Sequence, residues 1–176
     1  MTGDERLRLF LGYRLPGDAV ATLVEWQERE LRGRLVPPEN LHVTLAFLGG
    51  RPATELPAIL DVLGPAARET VAPVFTVSGY RETRSVGMLT LEDETGSAAA
   101  LAGRLHGELA ALGLYEPERR PWLPHVTILR FGERPRLRPS LPQLAPFAPS
   151  DAAAFLSRLH PSGARYEVLE SFGFRR

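Results

Sequence analysis

His42-Val43-Thr44-Leu45 and His125-Val126-Thr127-Ile128 are two copies of one phrase, and they decide how the rest of the chain is read. Each closes with a glycine seven residues after its histidine, Gly49 in one case and Gly132 in the other. Each follows a proline-marked loop, Pro37-Pro38-Glu39-Asn40 or Pro121-Trp122-Leu123-Pro124. The chain has four histidines, and half of them stand in this repeated setting. Side chains alternate faces along a strand, so His and Thr at i and i+2 share a face. Val43, Leu45 and Phe47 then turn to the opposite face, as do Val126 and Ile128, to pack beneath helices.

Each phrase therefore presents one imidazole and one hydroxyl from a rigid strand. Imidazole gives or takes a proton near neutral pH, so the matched pair reads as an acid and a base. Two such strands facing across a cleft suit phosphoryl transfer. One histidine takes a proton from water, the other gives one to the departing oxygen, and the hydroxyls of Thr44 and Thr127 hold the non-bridging oxygens. A metal site is the competing reading. Two histidines need a third or fourth ligand, and neither a cysteine nor a nearby His-x-x-Glu or Asp pattern supplies one. The other two histidines lack a repeated context. His106, in an amphipathic helix among Arg104 and Glu108, reads as part of a solvated face, and His160 as a turn residue before Pro161.

Outward from these strands the pattern alternates strand and helix. Residues 7–15 read as a strand stopped by Pro16-Gly17, and residues 19–34 as a helix with Ala19, Leu23, Trp26 and Leu31 on its apolar side. A second helix fits residues 54–69, interrupted at Gly64-Pro65. Residues 74–80 and 86–91 read as neighbouring strands, and residues 97–113 as a helix ending at Gly113. Arg134-Pro135-Arg136-Leu137-Arg138-Pro139 is basic, proline-rich and read as an exposed loop. Ala152-Ala153-Ala154 favours helix by propensity, yet the turn at His160-Pro161-Ser162-Gly163 points to a hairpin; residues 154–159 and 165–171 are read as its strands. No linker separates independent domains, so residues 1–176 are expected to form one domain with an internal duplication.

Composition narrows the chemistry. With 44% hydrophobic and 24% charged residues, the chain has the make-up of a soluble globular protein. No apolar run approaches the roughly 18 residues needed to span a membrane, and the polar start Met1-Thr2-Gly3-Asp4-Glu5-Arg6 is not expected to be a signal peptide. Cysteine is absent, which removes disulfides, thiolate ligands and cysteine nucleophiles and leans towards the cytoplasm. All 21 basic residues are arginine. Without lysine there is no Schiff base, no Walker-type P-loop lysine and no ligation through a lysyl-nucleotide adduct. The net charge of zero argues against coating a polyanion and leaves room for a local basic cleft.

The two phrases and their surroundings resemble the 2H phosphoesterase superfamily, in particular its RNA 2′,3′-cyclic phosphodiesterases, historically called 2′-5′ RNA ligases. The resemblance takes in Arg8-Leu9-Phe10-Leu11 with Leu15-Pro16, the run from Pro37 through Leu45 with Phe47-Leu48-Gly49, Arg120 through Thr127 with Arg130, and Gly163 through Leu169. It departs in having Val43 and Val126 where the family often has Leu or Ile, a conservative change. The resemblance implies an α+β, bilobal fold with pseudo-two-fold duplication, in which two antiparallel sheets with outer helices form a V-shaped cleft. It implies cofactor-free, metal-independent opening of a terminal 2′,3′-cyclic phosphate to a 2′-phosphate, with ATP-independent 2′-5′ ligation as the reverse. His42 would be the proton donor and His125 the proton acceptor, with Thr44 and Thr127 on the phosphate. Phe10 would stack on the terminal base, and Arg130 would add charge near the phosphate. Strict alternation turns Arg130 away from His125 and Thr127, so that role needs a bulge, a twist or reach from the strand end. The expected partners are RNA ends with a 2′,3′-cyclic phosphate, tRNA fragments or nucleotides, bound by a monomer. The alternatives are a phosphodiesterase for 2′-5′ oligoadenylates or small cyclic nucleotides, and a nucleotide- or RNA-binding module without turnover.

Overall fold

The structure, a computed structural model, describes residues 5–176. Strand β1 (Arg6–Arg14) leads into helix α1 (Gly17–Glu30), a two-residue strand β2 (Arg34–Leu35) and strand β3 (His42–Pro52). Helix α2 (Leu56–Glu69), strands β4 (Phe75–Glu82) and β5 (Val86–Asp93) and helix α3 (Ser97–Ala111) follow. Strand β6 (His125–Arg130), a long irregular segment, and the hairpin β7 (Asp151–Arg158) and β8 (Arg165–Phe172) complete the chain. The strands form an eight-stranded antiparallel sheet in the order β4-β5-β6-β3-β1-β7-β8, with β2 attached to β6.

The sheet is hinged at its middle. Between β3 and β6 one residue pair, Val43 opposite Val126, carries the ladder, whereas β1 follows β3 along its whole length. Both valines are fully buried. Beyond this pair β3 and β6 part, and the two halves of the sheet make the walls of a cleft with one histidine phrase on each. The duplication expected from the phrases is thus a two-sided sheet joined at one pair.

Four local expectations change. Helix α1 stops at Glu30 rather than Arg34, because Gly33 takes φ +116°, a left-handed turn that brings Arg34 and Leu35 beside Arg130 and Leu129. Helix α2 is not interrupted at Gly64-Pro65. Leu63, Ala66 and Ala67 beside them are fully buried, so core packing outweighs the hydrogen bond that a proline forfeits. Strand β7 begins at Asp151 and includes all three alanines, against their helical propensity. It lies between β1 and β8, where Ala153 faces Gly12 and Ala154 faces Leu11 across a crowded ladder. Phe47, expected to face the core with Val43 and Leu45, is 61% exposed. In the ladder Gly12 pairs with Thr44 and Leu11 with Ala46, so Leu45 is an extra residue on β3. A bulge of this kind reverses the parity of everything after it.

Candidate active site

The second phrase bulges at the equivalent place. Met88 pairs with Thr127 and Gly87 with Leu129, leaving Ile128 as the extra residue on β6. Leu45 and Ile128 are each three residues after their histidine. The bulges therefore turn the residue five after each histidine, Phe47 or Arg130, onto the face shared by His and Thr. Strict alternation placed Arg130 on the wrong face, and the bulge is what brings it round. A cavity of about 330 Å³ is lined by His42, Thr44, Phe47, His125, Thr127 and Arg130, with Arg8, Arg34 and Tyr166 also on its wall.

Both bulges are held by side chains that sequence reading passed over. The carbonyl of Leu45 accepts the Nε2–H of His106 at 2.7 Å, and its neighbour Thr44 O accepts the indole N–H of Trp122 at 3.0 Å. The carbonyl of Ile128 accepts the amide of Gln27 at 2.8 Å and the Val36 N–H at 3.1 Å. Where two strands part, their carbonyls lose ladder partners, and a buried carbonyl without one is costly. His106 is thus not on a solvated face: its ring stacks on Tyr115 with centroids 4.7 Å apart, and its nitrogen reaches β3. Gln27, 2% exposed on α1, is the matching device under β6. A polar residue at a buried position of the α1 pattern, beside Leu23 and Trp26, was the available signal for it.

Glycine is needed opposite each bulge. A Cβ on Gly12 would stand 2.9 Å from Val43 O and 3.3 Å from the His42 ring. One on Gly87 would meet the Tyr80 hydroxyl at 2.8 Å.

The two histidines are oriented alike. His42 Nδ1–H donates to Asn40 O at 2.7 Å, and His125 Nδ1–H donates to Leu123 O at 2.9 Å. A carbonyl acceptor requires the proton on Nδ1, which leaves Nε2 of each ring as the reactive nitrogen. Asn40 is itself fixed by its side-chain amide, which donates to Ala164 O at 2.8 Å and ties the first phrase to the β7–β8 turn. The Thr44 hydroxyl donates to His42 Nε2 at 2.8 Å. Among the described residues, no protein group hydrogen-bonds His125 Nε2.

Their surroundings differ. The His42 ring lies against Phe10, Phe155 and Tyr166, with centroids 4.8, 5.7 and 5.5 Å away. Burial among these rings, helped by the positive fields of His125 and Arg130, pushes its pKa down to about 4, against the opposing hydrogen bond to Asn40. Phe10 is on the cleft side of β1 but only 3% exposed, stacked on Phe155 at 4.7 Å. In that position it backs His42, and Phe47 is the aromatic ring open to the cavity. Trp122 lines a cavity beside Thr44 and His125. His160 lies in an exposed turn, bonded to Ser162 Oγ at 2.7 Å. Among the described residues no group of three or more His, Cys, Asp or Glu is placed to hold a metal ion, and no helix is long and apolar enough to cross a membrane.

Comparison with known proteins places this geometry. The family model described as the 2′-5′ RNA ligase superfamily matches residues 15–160. An RNA 2′,3′-cyclic phosphodiesterase of Thermus thermophilus is 34% identical, the match covering 96% of this chain and 91% of that one. The Escherichia coli protein of the same name is 31% identical over 72% of this chain and 73% of its own. Among solved structures, TT0787 of Thermus thermophilus superposes with a TM-score of 0.80 at 33% identity, covering 94% of this chain and 97% of that one. Apo LigT of Escherichia coli superposes with a TM-score of 0.82 at 25% identity, covering 98% and 100%. The chain belongs to the 2′-5′ RNA ligase superfamily of 2H phosphoesterases.

Proposed function

We propose that the protein hydrolyses the terminal 2′,3′-cyclic phosphate of RNA to a 2′-phosphate, acting as a monomer; both histidines come from one chain, so the site needs no second copy. The observation that carries this reading is the pair of imidazoles, each with Nδ1–H fixed on a carbonyl and Nε2 turned to one cavity with a threonine hydroxyl beside it. The names of the relatives agree with it: those at 34% and 31% identity are RNA 2′,3′-cyclic phosphodiesterases.

The cyclic phosphate sits between Thr44 and Thr127, whose hydroxyls hold its non-bridging oxygens, with Arg130 adding positive charge. His125 Nε2, which has no hydrogen-bond partner among the described residues, takes a proton from water as the water oxygen attacks phosphorus. The bond from phosphorus to the 3′ oxygen breaks, and His42 Nε2–H protonates that oxygen. Burial disfavours a charge on the His42 imidazole at neutral pH. The phosphodiester anion supplies the opposite charge, so binding loads His42 with the proton it donates. After turnover His125 holds a proton and His42 lacks one; exchange with solvent restores the starting state. Phe47, exposed beside the cavity, offers a face to the terminal base, a part that Phe10 is too buried to take. Two imidazoles supply both proton transfers, so no metal enters the scheme.

The test is an RNA ending in a 2′,3′-cyclic phosphate, incubated in EDTA with wild type, His42→Ala and His125→Ala. Wild type alone is expected to yield the 2′-phosphate. Tight binding with no turnover would establish a binding module instead, and turnover only with added metal would overturn the two-histidine scheme. The donor assignment has its own test. Binding of a 2′-nucleotide should take up a proton between pH 6 and 8, measured calorimetrically in buffers of different ionisation enthalpy. No uptake would reverse the roles of His42 and His125.

A further inference from the structure

The catalytic cavity opens sideways into a second one. A cavity of about 370 Å³ shares Thr44, Phe47 and His125 with the first and continues across the cleft face of β5 and β4. Its floor follows from the ladder: Met88 stands opposite Thr127, Thr90 opposite His125, and Arg81 opposite Met88. Cross-strand partners share a face. Arg81 is therefore two strands from Thr127, about 10 Å away at the usual strand spacing. Trp122, Tyr115 and the 59% exposed Leu123 give this space apolar walls. Glu118 is the one carboxylate on its lining, against Arg81 and Arg120.

Arg81 also lines a third cavity, with Arg134, Arg136 and Arg138 of the proline-rich loop. This loop has no regular secondary structure, yet it is fastened. The Glu82 carboxylate, its side chain 2% exposed, accepts the N–H of Arg136 at 2.8 Å and of Leu137 at 2.9 Å. It also accepts the Tyr80 hydroxyl at 2.6 Å and Arg134 Nε at 3.3 Å. Arg136 is held at φ 58°, a left-handed conformation that a non-glycine residue rarely adopts. The far end of the loop is pinned where the Trp26 indole N–H donates to Ser140 O at 2.7 Å. Among the described residues, Arg81, Arg136 and Arg138 have no carboxylate at ion-pair distance. Glu82, with four donors, thus anchors the loop so that Arg136 and Arg138 line one cavity with Arg81.

Resting on the function proposed above, we infer that this chain of cavities is the track for single-stranded RNA leading to the reactive end. The terminal nucleotide occupies the histidine cavity, the preceding nucleoside enters the apolar cavity, and its backbone runs over Arg81 to Arg136 and Arg138. An apolar, aromatic-walled recess followed by guanidinium groups, two of them on an anchored loop, matches alternating base and phosphate. A single cyclic nucleotide would fill the first cavity and touch none of the arginine track.

The test compares adenosine 2′,3′-cyclic phosphate with an adenylate trinucleotide ending in the same group. The proteins are wild type and the triple variant Arg81→Gln, Arg136→Asn, Arg138→Gln; asparagine tolerates the left-handed backbone. In wild type kcat/KM should favour the trinucleotide by more than the roughly 5- to 150-fold that one stacked base contributes. In the triple variant the preference should fall back towards that stacking range, with hydrolysis of the mononucleotide unchanged. The logarithmic salt slope for the trinucleotide should flatten by about 1.4, since that substrate has two internal phosphates and each lost phosphate contact removes about 0.7. An equal preference in both proteins overturns the track. If wild type opens neither substrate, the function proposed above has failed, and binding of the 2′-phosphorylated trinucleotide decides the track alone. Equal affinity of both proteins would overturn it.

Discussion

The two halves of the cleft agree in backbone and disagree in what surrounds the reactive nitrogen. Each has a histidine with its Nδ1–H on the carbonyl two residues earlier, a bulge three residues later, and a helix side chain on the bulged carbonyl. The residue that the bulge turns inward is Phe47 on one side and Arg130 on the other. His42 is boxed by aromatic rings and pushed down to about 4, whereas His125 leaves Nε2 open to the cavity. The repeated part places two proton-transfer atoms in equivalent positions. In the function proposed above, the divergent part gives them different tasks, proton donor for His42 and proton acceptor for His125.

Removing either imidazole breaks the comparison most severely. His42→Ala and His125→Ala should each lower kcat by on the order of 100- to 10,000-fold, measured by conversion of a cyclic-phosphate RNA end. A small loss for one of them would mean that its half does not transfer a proton.

The unequal burial should appear in stability against pH. His42 has its folded pKa below the unfolded value, so the unfolded chain binds more protons between these values and stability rises with pH there. The contribution is complete above about pH 6.5 and is lost as pH falls towards 4, to a total of about 3 kcal/mol. Chemical denaturation at pH 7 and pH 4 should show a smaller fall for His42→Asn than for wild type. Equal falls would mean that His42 is not the group responsible.

The bulge supports sharpen the comparison further. Gln27→Leu and His106→Leu each leave a bulge carbonyl short of a donor and should cost about 1–3 kcal/mol in stability. They should separate in function, Gln27→Leu weakening the Arg130 side and His106→Leu the Phe47 side. His106→Gln, which can still donate, should recover part of the loss. Unaltered KM in both leucine variants would reduce these side chains to structural supports.

Phe47→Ala and Arg130→Gln probe the divergent position itself, with the smallest effects. Loss of a stacking face should cost about 1–3 kcal/mol and depend on the base, seen in KM for nucleotides against a ribose phosphate without a base. Loss of Arg130 should be independent of the base and fade as salt is raised. The reverse pattern would exchange the two roles.

The phrases themselves disclosed the duplication, the shared face of His and Thr, and the α+β class, because strand alternation and the repeat are local properties. Arg134 to Arg138 were legible as basic and irregular. Their attachment to Glu82 was not, since 52 residues separate Arg134 from that carboxylate. Phe47 and Arg130 were misplaced by parity for a single reason. A bulge depends on the partner strand, here on glycines at positions 12 and 87 that let the ladder slip.

The sequence by itself determined which groups we propose for the chemistry: two imidazoles and two hydroxyls on strands, in a chain with no lysine or cysteine. The tertiary structure alone decided which residues join them and how each imidazole is tuned. Burial of His42 against Phe10, Phe155 and Tyr166, and the donors that reach Leu45 and Ile128, come from segments far away in the chain. Desolvation and long-range hydrogen bonds depend on where the folded chain brings distant atoms, which no local pattern encodes.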